Sequence, residues 1–181
     1  MGRSRLVTLF NALPVPLQNL AFTLEGLKSR GKRYGRVFRE RLAWLRESEW
    51  ASPDEIAVYQ AAQIRSAVLH AYETTPYYRE LLDSRGLMPD DFHGPDDLAR
   101  LPVLTKETVR QRAADLLSRR FRQRDLLKIK TSGTSGKALE LWETPDSLQF
   151  QWAVWWRHRA RFGLRLGDPF LMFGTGLPID V

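Results

Sequence analysis

The chain has 181 residues, 43% of them hydrophobic and 27% charged, and 28 Lys and Arg against 21 Asp and Glu give it a net charge of +7. These values suit one globular domain or a part of a larger one, and they argue against a mostly disordered chain. The absence of Cys excludes a disulfide framework, a thiol nucleophile and Cys-ligated zinc. His70, His93 and His158 lack HxH or HExxH spacing, so no metal site is expected.

Charge is distributed in blocks. Residues 1–50 carry 10 basic and 4 acidic side chains, 51–99 carry 3 and 9, 100–130 carry 10 and 3, and the rest carry 5 and 5. Residues 6–24 hold no charge and follow Arg3 and Arg5, yet Pro14, Pro16, Asn11, Gln18 and Asn19 interrupt them and no small-residue cleavage site follows. This separates the segment from a signal peptide or a membrane span. Two readings stand for it: peripheral membrane contact through Leu6, Phe10, Leu13, Leu17 and Phe22, or an amphipathic helix packed on its own domain.

The spacing of Leu17, Leu20, Ala21 and Leu24 predicts a helix that opens at Pro14 or Pro16 and ends at Gly26 or Gly31, with residues 28–35 as a basic loop. A second helix is expected through Phe38, Leu42 and Leu45 toward Trp50. Ser52 as N-cap, Pro53 at the first helical position and Glu55 at the third spell a capping box for a helix reaching Tyr72. Pro76 then restarts a short helix that Gly86 should end. Residues 87–104 contain Pro89, Gly94, Pro95 and Pro102, too many breakers for a long element. Thr105 opens a helix expected to continue through Val109, Ala113 and Leu116.

The character changes after Asp125. Residues 126–130 (LLKIK) and 139–143 (LELWE) alternate as strands do, and Pro145 begins a helix in which Leu148, Trp152, Trp155 and Trp156 recur at core-packing spacing up to Gly163. His158, among three arginines, reads as a surface residue, and residues 169–173 read as a buried strand. The expected fold is α/β: a mostly helical N-terminal region, 1–125, leading into the first strands of an incomplete sheet domain, 126–181. The basic stretch 100–130 includes a single aromatic residue, Phe121. Stacking recognition of nucleic acid is therefore not expected, and a solvated helix face or an interface is.

Chemistry concentrates in Thr131-Ser132-Gly133-Thr134-Ser135-Gly136-Lys137. Glycines allow close approach of backbone to a ligand, hydroxyls and backbone N–H groups donate to phosphate oxygens, and Lys adds a mobile charge. It is not a Walker A loop, which would need Gly in place of Thr131 and a hydroxyl residue in place of Ala138. Composition alone also allows a polar hairpin turn whose glycines serve only geometry.

The segment 131–137 closely resembles the phosphate loop of the adenylate-forming acyl-CoA synthetase superfamily, approximately T-S-G-[ST]-[ST]-G-K-P. Residues 76–82 (PYYRELL) and 101–107 (LPVLTKE) resemble the phenylacetate-CoA ligase-like branch. Residues 13–20 (LPVPLQNL) with Arg33-Tyr34-Gly35 resemble its CapK-type members, associated with capsular and surface polysaccharide clusters. Ala138 departs from the family's proline. The resemblance implies a two-step ligase: a small-molecule carboxylate attacks ATP to give an acyl-adenylate and pyrophosphate, and coenzyme A is a common final acceptor. It implies phosphate contacts through the side chains of Thr131, Ser132, Thr134, Ser135 and Lys137, backbone N–H groups from Gly133 and Gly136, shared charge stabilisation by Mg²⁺, and a cytoplasmic location. Family members are more than twice this length. The adenine, ribose, metal and acyl sites are therefore expected beyond position 181, and the chain is expected to be inactive without a C-terminal half, which a separate frame could encode. The alternative is a non-catalytic remnant or a phosphate- or partner-binding module.

Overall fold

A computed structural model describes residues 8–131 and 138–169. The strand expected at 169–173 lies, past its first residue, outside them, as do loop residues 132–137. The order of elements is α1 (Val15–Arg33), α2 (Arg36–Glu47), α3 (Pro53–Thr74), α4 (Pro76–Ser84), α5 (Lys106–Gln111), β1 (Leu127–Lys130), β2 (Glu140–Glu143) and α6 (Pro145–Ala160), with short 3-10 turns between several of them. A mostly helical region thus leads into a small antiparallel sheet, in agreement with the expected fold class. Among the described residues no helix is long and apolar enough to cross a membrane.

The chain forms two compact units, one of residues 1–46 with 146–181 and one of 47–145. In the first, Phe38, Leu42 and Leu45 on α2 meet Ala153 and Trp156 on α6, and Tyr34, Trp44, Phe150 and Trp152 pack around them. Leu42 and Leu45 follow Phe38 by four and seven residues, which keeps all three on one helical stripe. α2 lacks a capping side chain of its own, since Gly35 precedes it. Gln149 on α6 supplies the missing acceptor: its Oε1 takes a hydrogen bond from the Phe38 N–H at 3.2 Å. The approach is close enough that a Cβ on Gly35 would lie 2.6 Å from Gln149 Oε1.

In the second unit the capping box of α3 is present as expected. Ser52 Oγ accepts from the Glu55 N–H at 3.3 Å, and the Glu55 carboxylate accepts from the Ser52 N–H at 2.7 Å. Thr75, extended ahead of Pro76, ends α3. α4 closes with a Schellman motif: Gly86 has φ +61°, its N–H reaches Asp83 O at 3.1 Å, and the Leu87 N–H reaches Leu82 O at 3.0 Å. Leu82 and Leu87, brought together by that turn, form the core of this unit with Val68 and Phe92.

Three expectations are corrected. α1 does not stop at Gly26 or Gly31 but runs to Arg33, so residues 28–33 are helical rather than a loop. Neither glycine takes a positive φ, and Lys28, Arg30, Lys32 and Arg33 are good helix formers that favour the negative end of the helix dipole. α1 also buries none of its residues, so within the described residues this apolar face is not packed as the second reading expects. Finally, α5 ends at Gln111 instead of continuing through Leu116. Tertiary bonds redirect that segment: Asp115 O accepts from the Tyr77 N–H at 3.1 Å, Thr74 O accepts from the Arg119 N–H at 2.7 Å, and Arg112 pairs with Glu80 at 2.6 Å.

Candidate functional site

The two strands pair antiparallel in the register Leu127 with Glu143, Lys128 with Trp142, Ile129 with Leu141 and Lys130 with Glu140. Alternation places Lys128, Lys130, Glu140 and Trp142 on one face and Leu127, Ile129, Leu141 and Glu143 on the other. Thr131 extends the ladder past β1. Its N–H donates to Leu139 O at 3.0 Å, and its Oγ1 accepts from the Leu139 N–H at 2.9 Å. That double clasp closes the base of the segment 132–138. The Thr131 hydroxyl, having accepted one bond, retains a proton to donate.

The polar face is an ion-pair triad. Glu140 accepts from Lys128 at 2.7 Å and from Lys130 at 3.0 Å, and the Lys128 ammonium lies 5.7 Å from the Trp142 ring. The hydrogen bond from Lys128 first, and that from Lys130 second, hold the Glu140 carboxyl below the usual range. On the opposite face burial pushes the Glu143 carboxyl up. Two ammonium groups against one carboxylate leave an excess of positive charge at the base of the loop, which is the donor chemistry a phosphate needs.

The two strands expected from the sequence are therefore present and paired, and Thr131 stands at the end of β1. Ser132, Gly133, Thr134, Ser135, Gly136 and Lys137 lie outside the described residues. The triad was missed in the sequence, although its signal was there. Lysines two apart on one strand face a glutamate on the next once the hairpin register is set. The Gln149 cap had no local signal, because its partner lies 111 residues away.

Other groups singled out in the sequence are accounted for by packing. Trp156 is buried and donates from Nε1 to Tyr34 Oη at 3.2 Å, whereas Trp155 is 46% exposed. His158 is exposed and sits 5.2 Å from the Phe162 ring. Part of the basic block is neutralised internally, by Glu107 on Arg110, by Glu80 and Asp115 on Arg112, and by Asp125 on Arg122. Among the described residues no group of three or more His, Cys, Asp or Glu side chains is placed to hold a metal ion.

No family model matches the chain. Curated relatives do. A phenylacetate-coenzyme A ligase of Aromatoleum evansii is 31% identical over 134 residues, 74% of this chain and 30% of the relative. That of Escherichia coli is 34% identical over 107 residues, 58% and 24% respectively, and that of Thermus thermophilus is 31% identical over 121 residues, 67% and 27%. The chain thus spans about a quarter to a third of the length of these relatives. Their similarity connects the chain with the adenylate-forming CoA ligases that its motifs resemble.

Proposed function

We propose that the chain is the phosphate-loop portion of an ATP-dependent adenylate-forming ligase that activates a small-molecule carboxylate as an acyl-adenylate, with coenzyme A as acceptor. One observation carries this reading. β1 and β2 pair antiparallel, with Thr131 clasped to Leu139, on either side of the sequence motif 131–137 in a chain similar to phenylacetate-coenzyme A ligases. In this reading Thr131, Ser132, Thr134, Ser135 and Lys137 contact the β- and γ-phosphates through their side chains, and Gly133 and Gly136 offer backbone N–H groups. The loop holds charge that develops on the departing pyrophosphate, an electrostatic role that requires no proton transfer by these residues. Mg²⁺ would share that charge when bound, and the reading takes its ligands from sequence outside this chain. Residues 126–181 then open the nucleotide-binding domain behind the helical region 1–125. A cytoplasmic location, where ATP and coenzyme A are supplied, a role in surface polysaccharide assembly and a separately encoded C-terminal half belong to the same proposal.

The test is carboxylate-dependent exchange of labelled pyrophosphate into ATP, with the chain supplied with the C-terminal remainder of a phenylacetate-coenzyme A ligase. Exchange is expected only with the remainder, and Lys137→Ala should lower it by about 100-fold. Exchange unchanged by Lys137→Ala would contradict the role of the loop. Pyrophosphate binding without exchange in any combination would replace the ligase by a phosphate-binding module.

A further inference from the structure

α1 presents a face that its own unit does not use. Leu17, Leu20, Leu24 and Leu27 recur at alternating three- and four-residue steps and so share one stripe. They are 48%, 53%, 59% and 56% exposed. The opposite side of the helix is the one in contact: Phe22 meets the Phe10 ring edge-on at 4.9 Å, and the Arg33 guanidinium lies 4.5 Å over Trp152. Phe22, 43% exposed, therefore lies on the side away from the leucine stripe.

Charge decides what this stripe suits. Lys28, Arg30 and Lys32 crowd the end of α1, whereas Arg33 lies over Trp152 and Arg36, at the start of α2, pairs with Glu40 at 2.8 Å. The one acid of α1, Glu25, is bonded to Lys28 at 3.2 Å. A second copy that met this stripe with its own α1 would bring more of the same sign, because residues 1–50 hold 10 basic side chains against 4 acidic. The leucine stripe is also shorter than the three to four heptads that a coiled coil sustains. A bilayer with anionic headgroups offers an apolar layer for the leucines and negative charge for the cations, the arrangement in which amphipathic helices lie in the membrane interface.

We propose that the Leu17, Leu20, Leu24 and Leu27 face of α1, with its adjoining cations, docks on an anionic lipid surface. The proposal is independent of the ligase reading. It is tested by sedimenting the full 181-residue chain with vesicles of phosphatidylglycerol and phosphatidylcholine, or of phosphatidylcholine alone, at low and high salt. Binding at least about tenfold stronger to the anionic vesicles, weakened by salt, is expected. Leu20→Glu with Leu24→Glu should lower it by about tenfold or more. Both positions are exposed, and circular dichroism checks that the fold is kept. Lys28→Gln with Lys32→Gln should weaken binding to the anionic vesicles and leave that to phosphatidylcholine unchanged. Equal binding to both vesicles, no binding, or insensitivity to the leucine variants would overturn the proposal. So would a dimer in light scattering that the leucine variants dissociate, since the stripe would then belong to a second copy.

Discussion

Replacing Gly86 with Ala is expected to lower stability by about 1–2 kcal/mol, because φ +61° is left-handed backbone that a Cβ disfavours. Nothing lies within 4 Å of the added methyl, so the loss is conformational and not steric, and urea unfolding would measure it. No loss would contradict the Schellman closure of α4. At Gly35 the reason is the reverse. The backbone is ordinary, but the new methyl would meet Gln149 Oε1 at 2.6 Å and displace the cap of α2. Gly35→Ala and Gln149→Ala should each remove about 1 kcal/mol. The double variant should lose little more than one of them, because both act on a single hydrogen bond. Additive losses would separate the two residues.

The hairpin is where titration reports on an element. Glu140 is held below the usual carboxylate range by Lys128 and then Lys130. A depressed folded value means that the ion pairs support the pairing of β1 with β2 fully above the ordinary glutamate range. That support fades as pH falls through the depressed value. An NMR titration of the Glu140 side-chain carboxyl should show a midpoint below that of a free glutamate, moving up in Lys128→Gln. An ordinary midpoint in the unsubstituted chain would remove the triad. This element was largely legible in sequence, since two alternating stretches around a Gly- and hydroxyl-rich loop define a hairpin. α1 was less legible, because glycine is an equal candidate for a helix end and a helix interior until the neighbouring residues decide. The end of α5 was not legible at all: the bonds of Asp115, Arg112 and Arg119 to the α3–α4 corner depend on tertiary placement.

At the scale of the whole molecule, the helical-then-strand order was legible from Pro, Gly and periodicity, while the packing of α2 against α6 through Phe38, Leu42, Leu45, Ala153 and Trp156 joins residues more than 100 positions apart and had no local sign. The candidate site reads as the motif 131–137, of which only Thr131 is among the described residues, and the triad of Lys128, Lys130 and Glu140 beside it became legible only once the register was known. The relatives are phenylacetate-coenzyme A ligases three to four times as long as the matched portion. The account therefore rests most heavily on what the loop does. Its most direct test is a backbone amide NMR titration of the 181-residue chain with pyrophosphate, with and without Lys137→Ala. The account predicts saturable shifts concentrated at the amides of residues 131–137 and lost in Lys137→Ala. No shift in that segment, or shifts that persist in Lys137→Ala, would contradict it.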